Sequence, residues 1–320
     1  MAWLGSHCAK PLSNRELLAD DKEEIDVSAG TLEMAILDGI LTGGVYALMA
    51  AGLTLIFGVL DMINIAQGIF VILGAYASYS LEHSFGIGLF EGLIITIPAM
   101  FLLGAFIEWA FIRRLGEYNR VSMSILVTYA VTIVIEGVLL LHYGSNYRSL
   151  TASYITQSFH VFGNYLPKIY LYGFLLALAS VLVLYFMLYK TRLGVSVRAA
   201  MDNRFAAQLV GVEVKRVSTL TFAIGVAVTA VGGMVFGAVQ PFTPNSSYDL
   251  ISRLLTIVVL GGLGSVGGAL VGALVMVVVE DIISVAWTPT WATLIYFAVL
   301  LIVLLLKPQG LFGQREVRAQ

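Results

Sequence analysis

Eight apolar runs, most of them as long as a lipid bilayer is thick, decide what this chain can fold into. They occupy 34–60, 67–81, 88–112, 121–143, 168–189, 217–240, 253–286 and 291–306. About twenty residues at roughly 1.5 Å each match about 30 Å of hydrocarbon. The run 67–81 is short for a full crossing. The run 253–286 is too long for one, and Gly261, Gly262, Gly264, Gly267 and Gly268 interrupt it, which predicts two segments or a re-entrant turn. Eight to nine membrane segments follow, some interrupted or re-entrant. The fold class is all-α and polytopic, because a helix satisfies its backbone polar groups within its own segment. Composition agrees: 59% of the residues are hydrophobic and 12% charged, about half the charge of a water-soluble chain.

The same inventory excludes several kinds of chemistry. A net charge of −2 is wrong for a nucleic-acid binder, whose affinity rests on neutralising phosphates. A single cysteine, Cys8, gives neither a disulfide framework nor a thiolate zinc site. His7, His83, His142 and His160 never recur at helical metal-site spacing. No lysine follows a glycine, so the Gly-Lys-Ser/Thr of a nucleotide-binding loop is missing. No histidine and no aspartate pair falls deep in an apolar run, as an intramembrane hydrolase requires. The chain is therefore expected to be no enzyme and to hold no cofactor or metal. Its 32 glycines are unexpected in a mostly helical chain, since each interior glycine costs about 1 kcal/mol against alanine.

Basic residues orient the spans, because short loops rich in Lys and Arg stay cytoplasmic. Arg113, Arg114 and Arg120 follow the third run, Lys190, Arg192, Arg198, Arg204, Lys215 and Arg216 follow the fifth, and Lys307, Arg315 and Arg318 lie at the C-terminus. The alternate loops 82–87, 144–167, 241–252 and 287–290 contain only Arg148 among them and are rich in Tyr and Trp instead. Loop 190–216 and the C-terminus are thus predicted to be cytoplasmic. The stretch 1–33 differs in kind, with seven acidic and three basic residues and no apolar signal-peptide region. Three domains result: an acidic, solvated extension over 1–33, a membrane domain over 34–313 with a cytoplasmic loop at 190–218, and a tail over 314–320.

Within the membrane, ionisable groups are scarce and therefore informative. Of Asp61, Glu108, Glu136, Glu280 and Asp281, only Asp61 and Glu136 fall where burial is expected. Glu136 is a candidate buried carboxylate, for ion coupling or as a structural or pore-lining group. Glycine-interrupted segments in corresponding places of two halves point to a midplane path, because unwound backbone is tolerated only around a cavity or inside protein. Two such segments occur. Phe57–Gly68 gains Asp61, Asn64 and Gln67 ahead of Gly68, and Leu260–Gly272 contains Gly261, Gly262, Gly264 and Ser265. These eight residues are the candidate path. Gly264, Gly268 and Gly272 also fall on one helical face, so close helix packing is an alternative for the second segment. In loop 190–218, Val197, Met201, Phe205, Leu209 and Val212 form a one-sided stripe on a short helix, of the kind that lies on a membrane or docks into a partner's groove.

Three stretches together resemble a known family. They are Leu41-Thr-Gly-Gly-Val-Tyr-Ala-Leu-Met-Ala-Ala-Gly-Leu-Thr-Leu-Ile-Phe-Gly58 running into Ile63-Asn-Ile-Ala-Gln-Gly68, then Gly261-Gly-Leu-Gly-Ser265, then Lys307-Pro-Gln-Gly-Leu-Phe-Gly313. Their order and spacing over 34–313 resemble the LivH-type permease subunit of branched-chain amino-acid ABC importers. Phe205-Ala206-Ala207-Gln208-Leu209-Val210-Gly211 is similar to the coupling helix of ABC permeases. The resemblance implies a multi-pass permease of a bacterial-type inner membrane that forms half of a translocation path. It implies four partners: a LivM-like second permease, two ABC ATPases and an extracytoplasmic binding protein. Arg198, Met201, Phe205, Ala206, Ala207 and Gly211 would contact an ATPase. Related permeases carry urea, short amides or other amino acids, and a stand-alone ion-coupled carrier is the rival from another class. The acidic extension departs from the family pattern.

Overall fold

A computed structural model describes residues 29–116, 120–152, 157–161, 164–287, 289–307 and 309–312. Most of the acidic extension, Pro308, and the tail with Arg315 and Arg318 lie outside the described residues. Helices α1 (Ala29–Leu60), α2 (Gln67–Phe85), α3 (Leu89–Ala110), α4 (Arg120–Tyr143) and α5 (Lys168–Lys190) lead to the short α6 (Arg192–Asp202) and α7 (Arg204–Leu209). Then come α8 (Val214–Val239), α9 (Ser246–Gly261), α10 (Val266–Ala286) and α11 (Pro289–Leu306). Among the described residues six helices, α1, α3, α4, α5, α8 and α10, are long and apolar enough to cross a membrane. Among the described residues the strands are those of one small antiparallel hairpin, β1 (Ser158–Val161) with β2 (Asn164–Pro167), in the connection between α4 and α5.

The helices match the apolar runs, and the over-long run 253–286 is two helices with a turn at 262–265. The stripe Gly264, Gly268, Gly272 is not continuous, because α10 starts only at Val266. Gly262 (φ 102) and Gly264 (φ 82) adopt left-handed backbone that a side chain would strain, so both belong to the turn. The short run at 67–81 extends to Phe85, where Gly86 (φ 63) ends α2 in a left-handed cap.

The helices form an inner and an outer group. The apolar windows of α1 and α8 are each 83% buried, against 22% in α4 and α5. Leu141 (91% exposed) and Ile94 (77%) are typical of the outer group. Such a surface suits lipid, which also removes the hydrophobic drive between helices, so the inner contacts depend on small residues that let backbones approach. A Cβ on Gly52 of α1 would lie 2.9 Å from the Gly225 carbonyl oxygen of α8. One on Gly233 would overlap the Val71 carbonyl of α2. Here the glycines repay their helix cost.

At one end of the bundle, Arg148 pairs its backbone with Phe242 and donates from Nη1 to the Tyr79 hydroxyl at 2.7 Å. The opposite end carries α6 and α7, and both helix breaks, 61–66 and 262–265, lie toward it. Gly264 faces Gly58, and Arg204 Nη1 donates to the Leu60 carbonyl at 3.2 Å.

Candidate translocation path and coupling loop

The first break starts where α1 ends. Asp61 has φ 50, the only left-handed non-glycine among the described residues, and its amide still bonds Phe57 O at 2.8 Å. The chain then turns through Met62 to Ala66 before α2 begins at Gln67. Asn64 and Gln67 are fully enclosed. Asn64 Nδ2 donates to Gln67 Oε1 at 3.1 Å, and Gln67 Nε2 reaches the Gly225 carbonyl of α8 at 3.4 Å. The Ile65 amide donates to Thr128 Oγ1 of α4 at 3.2 Å. In a low-dielectric interior unpaired polar groups are costly, so these bonds hold the break in one shape. Gly68 completes it by letting α2 meet the Ser247 carbonyl at the start of α9. Asp61 is not among the enclosed group: it is exposed.

The second break is made of backbone. Gly262 N donates to Val258 O (3.0 Å) and Val259 O (3.2 Å), and Ser265 N to Gly262 O (3.0 Å). Ser265 Oγ caps α10 by accepting from Gly268 N at 3.1 Å. Gly261 and Gly268 touch backbone to backbone, and a Cβ on Gly272 would lie 3.0 Å from Ile257 O. Leu311 N (2.8 Å to Leu260 O) and Phe312 N (3.2 Å to Gly261 O) pin the chain after α11 onto it. These contacts are the close packing that the glycine spacing allows.

Glu136 is 9% exposed and accepts from the Tyr248 hydroxyl of α9 at 2.6 Å. Two of the other membrane carboxylates, Glu108 and Glu280, have local partners. Glu108 accepts from Thr219, and Glu280 pairs with Arg253, which also binds Asp249 at 2.9 Å. Sequence reasoning took no account of the face of α4 that carries Glu136. Ser124, Thr128, Thr132 and Glu136 are all buried on a helix whose other faces are largely exposed. Their four-residue spacing was the available signal.

The stripe in loop 190–218 does not run along one helix. Asn203 ends α6 and caps α7 by accepting from Ala206 N at 2.9 Å, so the stripe is divided at a cap. Val197 and Ala207 are buried, and Met201 lies against Gly58. Ala206 and Gly211 are exposed, and Gly211 (φ 88) sits in the turn after α7. Arg198 lies over the Tyr189 ring at 4.8 Å. Phe205 (71%), Leu209 (73%) and Val210 (79%) project from the end of the bundle among charged neighbours. Arg204, missed as a site residue, ties this protrusion to the end of α1.

The fold and its enclosed polar break define a multi-pass helical membrane protein with a few buried amides and hydroxyls in an apolar interior. The sequence profile of the family described as branched-chain amino acid transport system / permease component matches residues 35–304. The chain belongs to that family. The high-affinity branched-chain amino acid transport system permease protein LivH of Salmonella typhimurium is 27% identical over 292 residues, covering 88% of this chain and 95% of that protein. The probable LivH of Methanocaldococcus jannaschii is 27% identical, covering 88% and 93%. LivM of Escherichia coli is 25% identical, covering 89% of this chain and 70% of LivM. No solved structure matches the chain.

Proposed function

We propose that this chain is one permease half of an ABC importer for branched-chain amino acids in a bacterial-type inner membrane. A LivM-like permease completes the path, two separate ATPases supply the energy, and an extracytoplasmic binding protein delivers the substrate. Loop 190–218 and the C-terminus face the cytoplasm. The observation that carries the reading is the join between the enclosed Asn64–Gln67 break and the exposed apolar end of α7, made within a few residues by Arg204 and Met201. An ATPase bound at Phe205, Leu209 and Val210 thereby acts directly on the end of α1. Asp61, Asn64, Gln67 and Gly68 line the path near this end, with Gly261, Gly262, Gly264 and Ser265 as its opposite wall. A path with few charges suits a zwitterion with an apolar side chain.

The test is reconstitution of the full complex in proteoliposomes with radiolabelled leucine. ATP-dependent uptake that requires the binding protein is expected. Accumulation by this chain alone on an imposed ion gradient would overturn the reading, and uptake of urea or acetamide without any amino acid would overturn the substrate class.

A further inference from the structure

Residues 144–152, which follow α4, cross the end of the bundle opposite α6 and α7 and are fastened there by backbone. Arg148 N donates to Phe242 O at 2.9 Å, Phe242 N to Arg148 O at 2.8 Å, and Leu150 N to Gly237 O of α8 at 2.9 Å. Side chains tie the same segment to α2. Arg148 Nη1 donates to the Tyr79 hydroxyl, and Thr151 Oγ1 donates to Glu82 Oε1 at 2.8 Å. Ser80 of α2 bonds the Tyr143 hydroxyl at the end of α4. The segment is a strap over the far ends of α2 and α8, the two helices that also meet at the first break through Gln67 Nε2 and the Gly225 carbonyl.

The strap is held differently from the helices beneath it. Those meet at glycine: Gly233 lies against the Val71 carbonyl, and a Cβ on Gly74 would lie 3.0 Å from Ala230 Cα. Water cannot replace such contacts. The bonds between Thr151 and Glu82 are open to solvent, so water can take them over at small net cost. The helix that carries the strap is not locked by glycine either. A Cβ on Gly137 of α4 would meet nothing within 4 Å, and the buried residues of α4 are Ser124, Thr128, Thr132 and Glu136 beside the single apolar Leu139.

Docking of the strap also has costs. Tyr76 stacks on Tyr143 at 4.5 Å and meets Phe242 edge-on at 4.9 Å, and its hydroxyl is buried without a partner. Arg148 Nε is likewise buried and unpartnered, and Arg148 belongs to none of the ion pairs among the described residues. Lifting the strap gives these polar atoms to water and exposes Leu150 and Phe242, now 2% and 0% exposed. Polar gain and apolar loss oppose each other, so the docked state is poised.

We infer that 144–152 is an extracytoplasmic lid of the path, docked in this structure and lifted when loaded binding protein engages the complex. This rests on the permease reading above, which sets that end outside, and adds to it the element that moves.

The test uses the complete complex in proteoliposomes with radiolabelled leucine, with the single cysteine removed by Cys8→Ser. Leu150→Cys puts a thiol in the buried part of the strap. Its labelling by a membrane-impermeant maleimide is expected to be at least about fivefold faster during turnover, with ATP and loaded binding protein, than at rest. Glu82→Cys with Thr151→Cys, at the solvent-open tie, is joined by a reducible bis-methanethiosulfonate. Joining is expected to lower uptake about tenfold or more at unchanged complex yield, and reduction to restore it. Equal labelling in the two conditions, or wild-type uptake by the joined complex, overturns the lid and leaves the permease reading intact. Loss of yield and uptake together in the unjoined variants also overturns it, in favour of a fixed clamp. A wild-type complex that takes up no amino acid overturns the permease reading and the lid together.

Discussion

The two helix breaks look alike in sequence and differ in what holds them. Both interrupt an apolar run with glycine, and both lie toward the end that carries α6 and α7. The 61–66 break is held by side chains: the Asn64 and Gln67 amides bond each other and α8, and Thr128 reaches in from α4. The 262–265 break is held by backbone, with Gly261 on Gly268 and the 311–312 segment bonded to Leu260 and Gly261. Glycine in a membrane helix therefore carries two messages. Next to buried amides it frees a polar interior, and on its own it permits contact. Under the proposed function the first break contributes buried amides to the path and the second contributes close-packed backbone.

This contrast separates assembly from transport. Gly261→Val puts a branched side chain into the Gly268 backbone; overpacking costs typically 1–3 kcal/mol or more. Loss of most folded protein is expected, read as the yield of monodisperse complex. Phe205→Asp with Gly211→Arg leaves both breaks untouched. It charges the exposed apolar end and strains a left-handed glycine, so ATPase co-purification is expected to fall about tenfold with the subunit still folded. Arg204→Ala removes the tie to Leu60. Uptake a few-fold lower at unchanged ATPase binding is expected, and unchanged uptake would show that the tie transmits nothing. Ser265→Ala deletes the α10 cap, worth about 1 kcal/mol. A slightly lower Tm with near-wild-type uptake is expected; a large loss of uptake would show that the Ser265 side chain serves the path beyond its cap.

Much of this was legible in the sequence. Apolar length alone marks the spans, because hydrocarbon admits little else, and five glycines at 261–268 announced the division of the run 253–286. Asn64 and Gln67 stood out because amides in an apolar run need partners, and each became the other's partner. Three features were less legible. The stripe through Val197, Met201 and Phe205 hid the cap at Asn203, since period counts apolar residues and says nothing of a side chain that bonds its own backbone. Gly264 fits a helical spacing that its backbone does not adopt, because tertiary contacts with Gly58 and the α9 end favour a turn. Asp61 and Asn64 are three residues apart and both polar, yet one is exposed and one enclosed. The larger cost of burying a carboxylate and the course of the chain after Leu60 distinguish them.

The most direct test of the account is leucine uptake by a complex carrying Asn64→Leu and Gln67→Leu, beside its yield and stimulated ATP hydrolysis. Leucine restores apolar character and removes the bonds to Gly225 and between the two side chains. The account predicts a complex that assembles, binds its ATPases and hydrolyses ATP, with uptake lowered at least about tenfold. Wild-type uptake from this variant would contradict it, because a break that works without its amides is no part of a polar path.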